Sequence, residues 1–155
     1  GERTPHLNPN CRGVFFGLSA IHTKADMLRA VMEGVSYSLL DCFDILREMK
    51  VNVKEMMACG GGGKSRVWRQ MLADMYGCEV KTIKAQEGPA LGVAILAGVG
   101  AGIFPDVQTA CKEFIEQDTW CQPDAAAHAY YEKGHALYQK LYQKLKDCYE
   151  DLAAL

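Results

Sequence analysis

The stretch Val53-Lys-Glu-Met-Met-Ala-Cys59, running directly into Gly60-Gly-Gly-Gly-Lys-Ser-Arg66, decides how this chain is read. The first seven residues have strand character. Four glycines follow, and from Lys64 or Ser65 a helical pattern carries Val67, Met71, Leu72 and Met75 inward before stopping at Gly77, a residue suited to the left-handed C′ position. Glu79 to Ile83 then alternates as a second short strand. A strand, a glycine-rich turn, a helix and a strand make a βαβ unit, and an α/β layer architecture is expected around it. Glycines in such a turn let the backbone approach a ligand closely, and the helix start beyond them offers free N–H groups and a partial positive charge. The position suits a nucleotide.

Upstream, Gly13-Val-Phe-Phe-Gly-Leu18 reads as a short β-type run. Thr23 and Asp26 form a capping box, and Leu28, Val31, Val35, Leu39, Cys42, Leu46 and Met49 recur in steps of three and four. That spacing predicts a helix of about seven turns with one buried stripe. Downstream, Pro89 fits the first turn of a third helix, whose small residues Ala90, Gly92, Ala94, Ala97 and Gly98 predict burial on most sides. Phe104-Pro105-Asp106 ends it and caps a shorter helix to about Gln117. Pro123-Asp124 opens a final helix with Tyr131, Gly134, Tyr138, Leu141, Leu145, Cys148 and Leu152 on one stripe. The predicted order is strand, helix, strand, helix, strand and three helices, a small sheet with many helices. A strand set upstream of this chain would explain so thin a sheet.

At 155 residues, with 49% hydrophobic and 23% charged side chains, the chain is expected to be one folded domain. Seventeen basic against nineteen acidic residues give a formal charge of −2, too balanced for binding a phosphate backbone, so nucleic acid is not expected as a partner. The longest apolar stretch, Pro89 to Phe104, contains four glycines and falls short of the roughly 20 residues that span a bilayer, so no membrane span is expected. Seven cysteines without a C-x-x-C pair read as reduced, mostly buried thiols of a cytoplasmic protein. Gly1 to Asn10 resembles mid-protein sequence, and a piece of a longer chain is expected.

Two nucleotide sites compete for the same glycines. Gly63-Lys64-Ser65 resembles the end of a P-loop, with Ala58 as a relaxed first anchor. A P-loop also needs a later strand ending in a Mg²⁺-binding aspartate, whereas Glu79 to Ile83 is followed by Lys84 and Ala85. The other site rests on a resemblance. Gly13-Val-Phe-Phe-Gly-Leu18, Asp26-Met27 and Ala30-Val-Met-Glu33 resemble the C-terminal signature of the FGGY family of carbohydrate kinases. Gly1-Glu-Arg-Thr-Pro-His6, with Asn8, Pro9 and Arg12-Gly13, resembles the branch that acts on D-xylulose. Gly60-Gly-Gly with Trp68-Arg-Gln70 and Ala73-Asp74 is similar to the family's adenosine motif, and Glu87-Gly-Pro-Ala-Leu-Gly92 to the helix start that follows it.

This resemblance implies two actin-like (ribonuclease H-like) ATPase domains closing on ATP and a sugar, with residues 1–155 as part of the C-terminal, ATP-binding domain. It places ATP against the backbone of Gly60, Gly61 and Gly62 and puts the side chain that touches the base at Ser65, where some relatives carry Asn. Ser offers one hydroxyl where Asn presents a bidentate edge. The general base, the sugar pocket and the phosphate loops would lie in the absent N-terminal domain and upstream, so no catalytic residue and no metal ligand is assigned here. Mg²⁺ and ATP are implied for the intact enzyme, with transfer of the γ-phosphate to D-xylulose, and a related pentulose or gluconate as the alternative acceptor. An isolated interaction module with the same fold is the alternative of a different class. The isolated chain is expected to be inactive and, with uncovered faces, to self-associate as a homo-oligomer.

The remaining candidates carry less. His128 and His135, seven apart, read as solvated surface histidines rather than zinc ligands, as do His6 and His22. Glu33 is expected to hold a structural hydrogen bond. The series Tyr130, Tyr131, Tyr138, Tyr142 and Tyr149 is expected to pack, with its hydroxyls at the rim.

Overall fold

The computed structural model describes residues 1–84 and 88–155. Ala85 and Glu87, which entered the expectations above, lie outside the described residues. In chain order the elements are α1 (Lys24–Glu48), β1 (Glu55–Met57), α2 (Gly60–Lys64), α3 (Arg66–Tyr76), β2 (Glu79–Ile83), α4 (Gly88–Gly100), α5 (Val107–Phe114), β3 (Gln117–Cys121) and α6 (Ala125–Ala153). The chain divides into two compact units, one of residues 1–53, 74–77 and 124–155, the other of residues 54–73 and 78–123.

The second unit is built on a mixed sheet in the order β1-β2-β3. β1 runs parallel to β2 with Glu55 opposite Glu79, and β2 runs antiparallel to β3 with Val80 opposite Cys121. Side chains reinforce both ladders. The Lys81 ammonium reaches Glu55 at 2.5 Å and Glu79 at 3.1 Å, and these hydrogen bonds hold its pKa above the ordinary lysine value. The Thr82 and Thr119 hydroxyls meet at 2.7 Å. Met71 and Ala73 of α3, Val80 and Cys121 of the sheet, Ile95 of α4 and Ala110 of α5 are buried. Each large aliphatic side chain taken from water in this way contributes roughly 1.5–3 kcal/mol. Asp106 caps α5, accepting from Thr109 N at 2.7 Å, and Phe104 meets Phe114 edge-on at 5.5 Å.

In the first unit α1 packs on α6. Thr23 and Asp26 close the expected capping box of α1, and Asp124 caps α6 by accepting from Ala127 N at 2.8 Å. The contact between these helices is polar and aromatic. Buried Asp41 accepts from His135 Nε2 and Gln139 Nε2, each at 2.8 Å, and Tyr37 stacks on the imidazole at 5.8 Å. Arg29 Nη2 donates to the Tyr131 hydroxyl at 2.8 Å while its Nε donates to Glu33 at 2.9 Å. The last turn of α3 belongs to this unit. Tyr76 stacks on Phe43 at 5.1 Å, Arg47 donates to the Tyr76 carbonyl at 2.8 Å, and His128 Nδ1 donates to the Asp74 carbonyl at 2.8 Å.

Several expectations are corrected. Gly13–Leu18 forms no strand and lies exposed, and the strand read from Val53 to Cys59 narrows to Glu55–Met57. The α1 stripe is not buried: Leu28, Val31, Val35 and Leu39 are 57, 52, 44 and 47% exposed. The buried residues of α1 are instead Ser36, Leu40, Asp41 and Phe43, of which Asp41 meets His135 and Gln139 of α6 while Phe43 stacks on Tyr76. In α4 only Ile95 is buried among the described residues. α5 ends at Phe114 and is followed by β3, a strand whose polar, charged sequence Gln117-Asp-Thr-Trp-Cys121 gave no alternation to read. Of the seven free cysteines only Cys78 and Cys121 are buried, and Cys59 and Cys148 are exposed. His135 is buried rather than solvated, because it has Asp41 to bond. Tyr131 and Tyr149 are buried, as the aromatic spacing implied, while Tyr130 is 68% exposed.

Two outcomes follow from the α1–α6 contact. A Cβ at Gly134 would lie 2.1 Å from the Tyr37 hydroxyl. Gly→Ala in a helix interior ordinarily gains about 1 kcal/mol. Here Gly134→Ala is expected to lose about 1–3 kcal/mol in urea unfolding by overpacking, and Tyr37→Phe, which removes the oxygen, should restore part of it. A stabilised Gly134→Ala would contradict the contact. For Asp41, burial pushes the carboxyl up, but the hydrogen bonds from His135 and Gln139 outweigh it and the net pKa falls below 3.8. A depressed folded pKa gives stability that is present above the unfolded value and lost as pH falls through the folded one. The stability gap between the protein and Asp41→Asn should therefore be complete above 3.8 and shrink below it. A gap independent of pH across that range would contradict the assignment.

Candidate functional site

Beyond β1 the ladder continues for one more bond, Ala58 N to the Lys81 carbonyl at 2.8 Å, and Cys59 remains extended. Gly60 then turns the chain with φ of +71°, a conformation that favours glycine, and α2 begins. The four glycines therefore form a short helix of their own rather than a loose turn, and the next helix starts at Arg66. Ser65 divides the two with ψ of 114°. Its hydroxyl accepts from Trp68 N at 3.3 Å and its carbonyl accepts from Arg69 N at 2.9 Å, so it serves as the N-cap of α3. One lone pair is engaged in that cap, and the hydroxyl proton is left to donate elsewhere.

α2 is pressed onto the end of β1. A Cβ at Gly63 would stand 2.7 Å from the Ala58 carbonyl oxygen, and one at Gly62 would meet the Trp68 ring at 3.3 Å. Cβ atoms at Gly60 and Gly61 would have nothing within 4 Å. The Gly63 carbonyl, one of the C-terminal acceptors a helix leaves unpaired, accepts from Arg69 Nη1 at 2.6 Å.

At the carboxyl ends of the parallel strands β1 and β2 lies an open cleft of about 410 Å³. It is lined by Ala58, Cys59 and Gly60 after β1, Gly63 and Lys64 of α2, Arg69 of α3, Thr82, Ile83 and Lys84 at the end of β2, and Asp118 of β3. Open α/β sheets bind ligands in such crevices. Of the predicted adenosine residues, only Gly60 lines the cleft, whereas Gly61, Gly62 and Ser65 sit along α2 and its end without lining it. Lys64 closes α2 at its C-terminal end. That order differs from a P-loop, where a wide loop precedes the helix, and β2 ends in Ile83, followed by Lys84, without an aspartate. Arg69, Lys84 and Asp118 were not singled out from the sequence. Arg69 reads there as one more polar helix residue, and Asp118 belongs to the strand that carried no pattern.

Among the described residues no three His, Cys, Asp or Glu side chains converge as metal ligands. Glu33 is half-buried, accepts from Arg29, and lies 3.4 Å from the Tyr131 hydroxyl. His6 stacks on Tyr142 at 3.5 Å, and His22 meets Ser19 in an exposed turn. No helix among the described residues is long and apolar enough to cross a membrane.

Residues 1–101 match the model of the FGGY family of carbohydrate kinases, C-terminal domain. The chain is 40% identical over all its 155 residues to a xylulose kinase of Staphylococcus epidermidis, of which it covers 31%. Among solved structures it is similar to a ligand-bound xylulose kinase of Lactobacillus acidophilus, with a TM-score of 0.86 and 30% identity over 98% of this chain and 31% of that one. It is equally similar to a gluconate kinase of the same organism, with a TM-score of 0.87, 30% identity and the same coverage. The chain belongs to the FGGY family of carbohydrate kinases, as a match to its C-terminal domain, and shares the actin-like ATPase fold of those enzymes. It spans about a third of the length of the relatives it matches.

The glycines of α2 should separate by substitution. Gly63→Ala forces the Ala58 carbonyl to move and is expected to destabilise the protein by about 1–3 kcal/mol, whereas Gly61→Ala, in open space, should leave thermal unfolding within about 0.5 kcal/mol. Equal losses at the two positions would contradict this geometry.

Proposed function

We propose that this chain is the ATP-binding C-terminal part of a sugar kinase that transfers the γ-phosphate of ATP to D-xylulose, giving xylulose 5-phosphate. One observation carries the nucleotide site. Gly60 is called for by its positive φ, Gly62 by the Trp68 ring and Gly63 by the Ala58 carbonyl, but nothing inside the described chain calls for glycine at Gly61. A missing side chain with no internal reason leaves backbone bare for something that comes from outside, and the adenosine of ATP is the ligand this family brings there. Gly60, Gly61 and Gly62 would run along the base and ribose, and the free proton of the Ser65 hydroxyl would donate to an acceptor nitrogen of the base.

Phosphoryl transfer depends almost wholly on positioning ATP and acceptor together. This chain would hold the nucleoside end, while the general base, the sugar pocket and the phosphate contacts would come from the rest of the parent protein, with Mg²⁺ neutralising phosphate charge when bound. D-xylulose is favoured by the match of all 155 residues to part of a relative named for it, and gluconate is the second acceptor because a gluconate kinase is an equally near structural neighbour.

ADP release by the parent protein should be fastest with D-xylulose among pentuloses and gluconate, and these 155 residues alone should release none. A preference for gluconate would overturn the acceptor, and turnover by the chain alone would overturn the division of labour. In the parent, Gly61→Val should weaken ATP binding at least tenfold, about 1.4 kcal/mol, with the fold intact, while Lys64→Ala should cost far less. A larger loss at Lys64 would sink the adenosine site and favour a phosphate-gripping lysine.

A further inference from the structure

α1 is built to be covered on two sides, and only one of them is covered within this chain. Asp41 and Phe43 meet α6 and the last turn of α3. At about 100° per residue, Leu28, Val31, Val35, Leu39 and Leu46 fall within an arc of roughly 80° on the other side of the helix. All five are at least 37% exposed. Cys42 and Met49 lie on the same line, whereas the charged residues beyond the first turn, Arg29, Glu33, Asp41, Asp44, Arg47 and Glu48, all fall outside that arc. This reverses the pattern of a surface helix, whose outer side is polar.

The segment leading into α1 has the same character. Val14, Phe15, Phe16, Leu18 and Ile21 are exposed, Ile21 at 84%, and Gly17 turns the chain among them with φ of +83° and nothing within 4 Å of the place a Cβ would take. So many large apolar side chains at successive stripe positions are not the scattered exposure of an ordinary surface, and they mark a face that receives a partner.

Two facts say what that partner is. More than two thirds of the length of the Staphylococcus epidermidis relative lies outside the part this chain matches, so a parent of that size has ample chain to cover the face. The first unit is also a layer of helices with no strand of its own among the described residues, its one ladder contact being the bridge of Glu2 to Asn8. In α/β architectures an apolar helix face lies on a sheet.

We infer that the α1 stripe and residues 14–21 form the docking face for a β-sheet supplied by the part of the parent protein outside residues 1–155, with α1 as the layer between that sheet and α6. The stretch at residues 13–18 that carries much of the family resemblance is then a packing element and not a ligand contact. The inference rests on the chain being part of a longer protein, and neither the nucleotide nor the sugar enters it.

The test uses the parent protein at a concentration where sedimentation velocity finds monomer. Valine and aspartate have similar helix propensities, so Val35→Asp reads burial: it should raise the apparent unfolding constant in urea by roughly tenfold or more, whereas a change of about twofold or less, as for an exposed position, would overturn the docking face. Should that variant fail to fold, hydroxyl-radical footprinting of the unaltered parent gives the same reading. Phe15, Phe16, Leu28 and Leu39 should be protected in the native monomer relative to the unfolded protein, and labelling of these residues at the unfolded rate would overturn the face. The occupant is identified with p-benzoylphenylalanine in place of Val35, which should cross-link on irradiation to a segment outside residues 1–155 whose apolar residues alternate with period two. A cross-link into a segment of helical period, or one to a second copy of this chain with protection appearing only as the parent dimerises, would overturn the sheet as the occupant.

Discussion

The Gly63 backbone lies so close to the Ala58 carbonyl that no side chain fits between them, and the local architecture of the site depends on that approach. It presses α2 onto the end of β1. A five-residue helix satisfies almost none of its own backbone groups, so its ends must be met from outside. Arg69 reaches back from α3 to the Gly63 carbonyl, Ser65 ends one helix and caps the next, and the Trp68 ring covers Gly62. Each of these contacts comes from a residue within six positions of the glycine it serves. The turn is thus a locally determined object, set against a sheet whose two parallel strands open a cleft beside it.

That locality explains what could be read in advance. The capping boxes and N-caps at Thr23, Asp106 and Asp124, the left-handed Gly77 and the succession of β1, helix and β2 all rest on interactions between near neighbours, and all appear as expected. β3 was invisible because it is an edge strand, exposed or half-exposed at its first four residues and buried only at Cys121, and its place is decided by pairing with β2. Within the site, the glycines were legible as a backbone surface, but their helical form was not. Arg69 could not be recognised as a buried cation, because burial of a helix residue depends on what the sheet places against it.

The apolar stripe of α1 shows the limit from the other side. Its periodicity is real, and the helix spans the expected residues, yet Leu28, Val31, Val35 and Leu39 face solvent while Ser36 and Asp41 are buried. Periodicity reports that a helix face is built to be covered, and it does not report by what. The contact that α1 makes here is specified by individual polar matches, Asp41 with His135 and Gln139, and Arg29 with Tyr131, whose partners lie some hundred residues away. Such pairs leave no local pattern, which is why His135 resembled a surface residue in the sequence.

The central claim is that the bare backbone at Gly60 and Gly61 receives the nucleoside. Amide chemical shifts of the α2 glycines in the isotopically labelled parent protein, followed as AMP is added, address it most directly. Saturable shifts should be largest at Gly60 and Gly61, extend to Ser65, and leave the sterically filled Gly63 nearly still. Saturable binding that shifts residues elsewhere and leaves Gly60 and Gly61 unmoved would contradict the account.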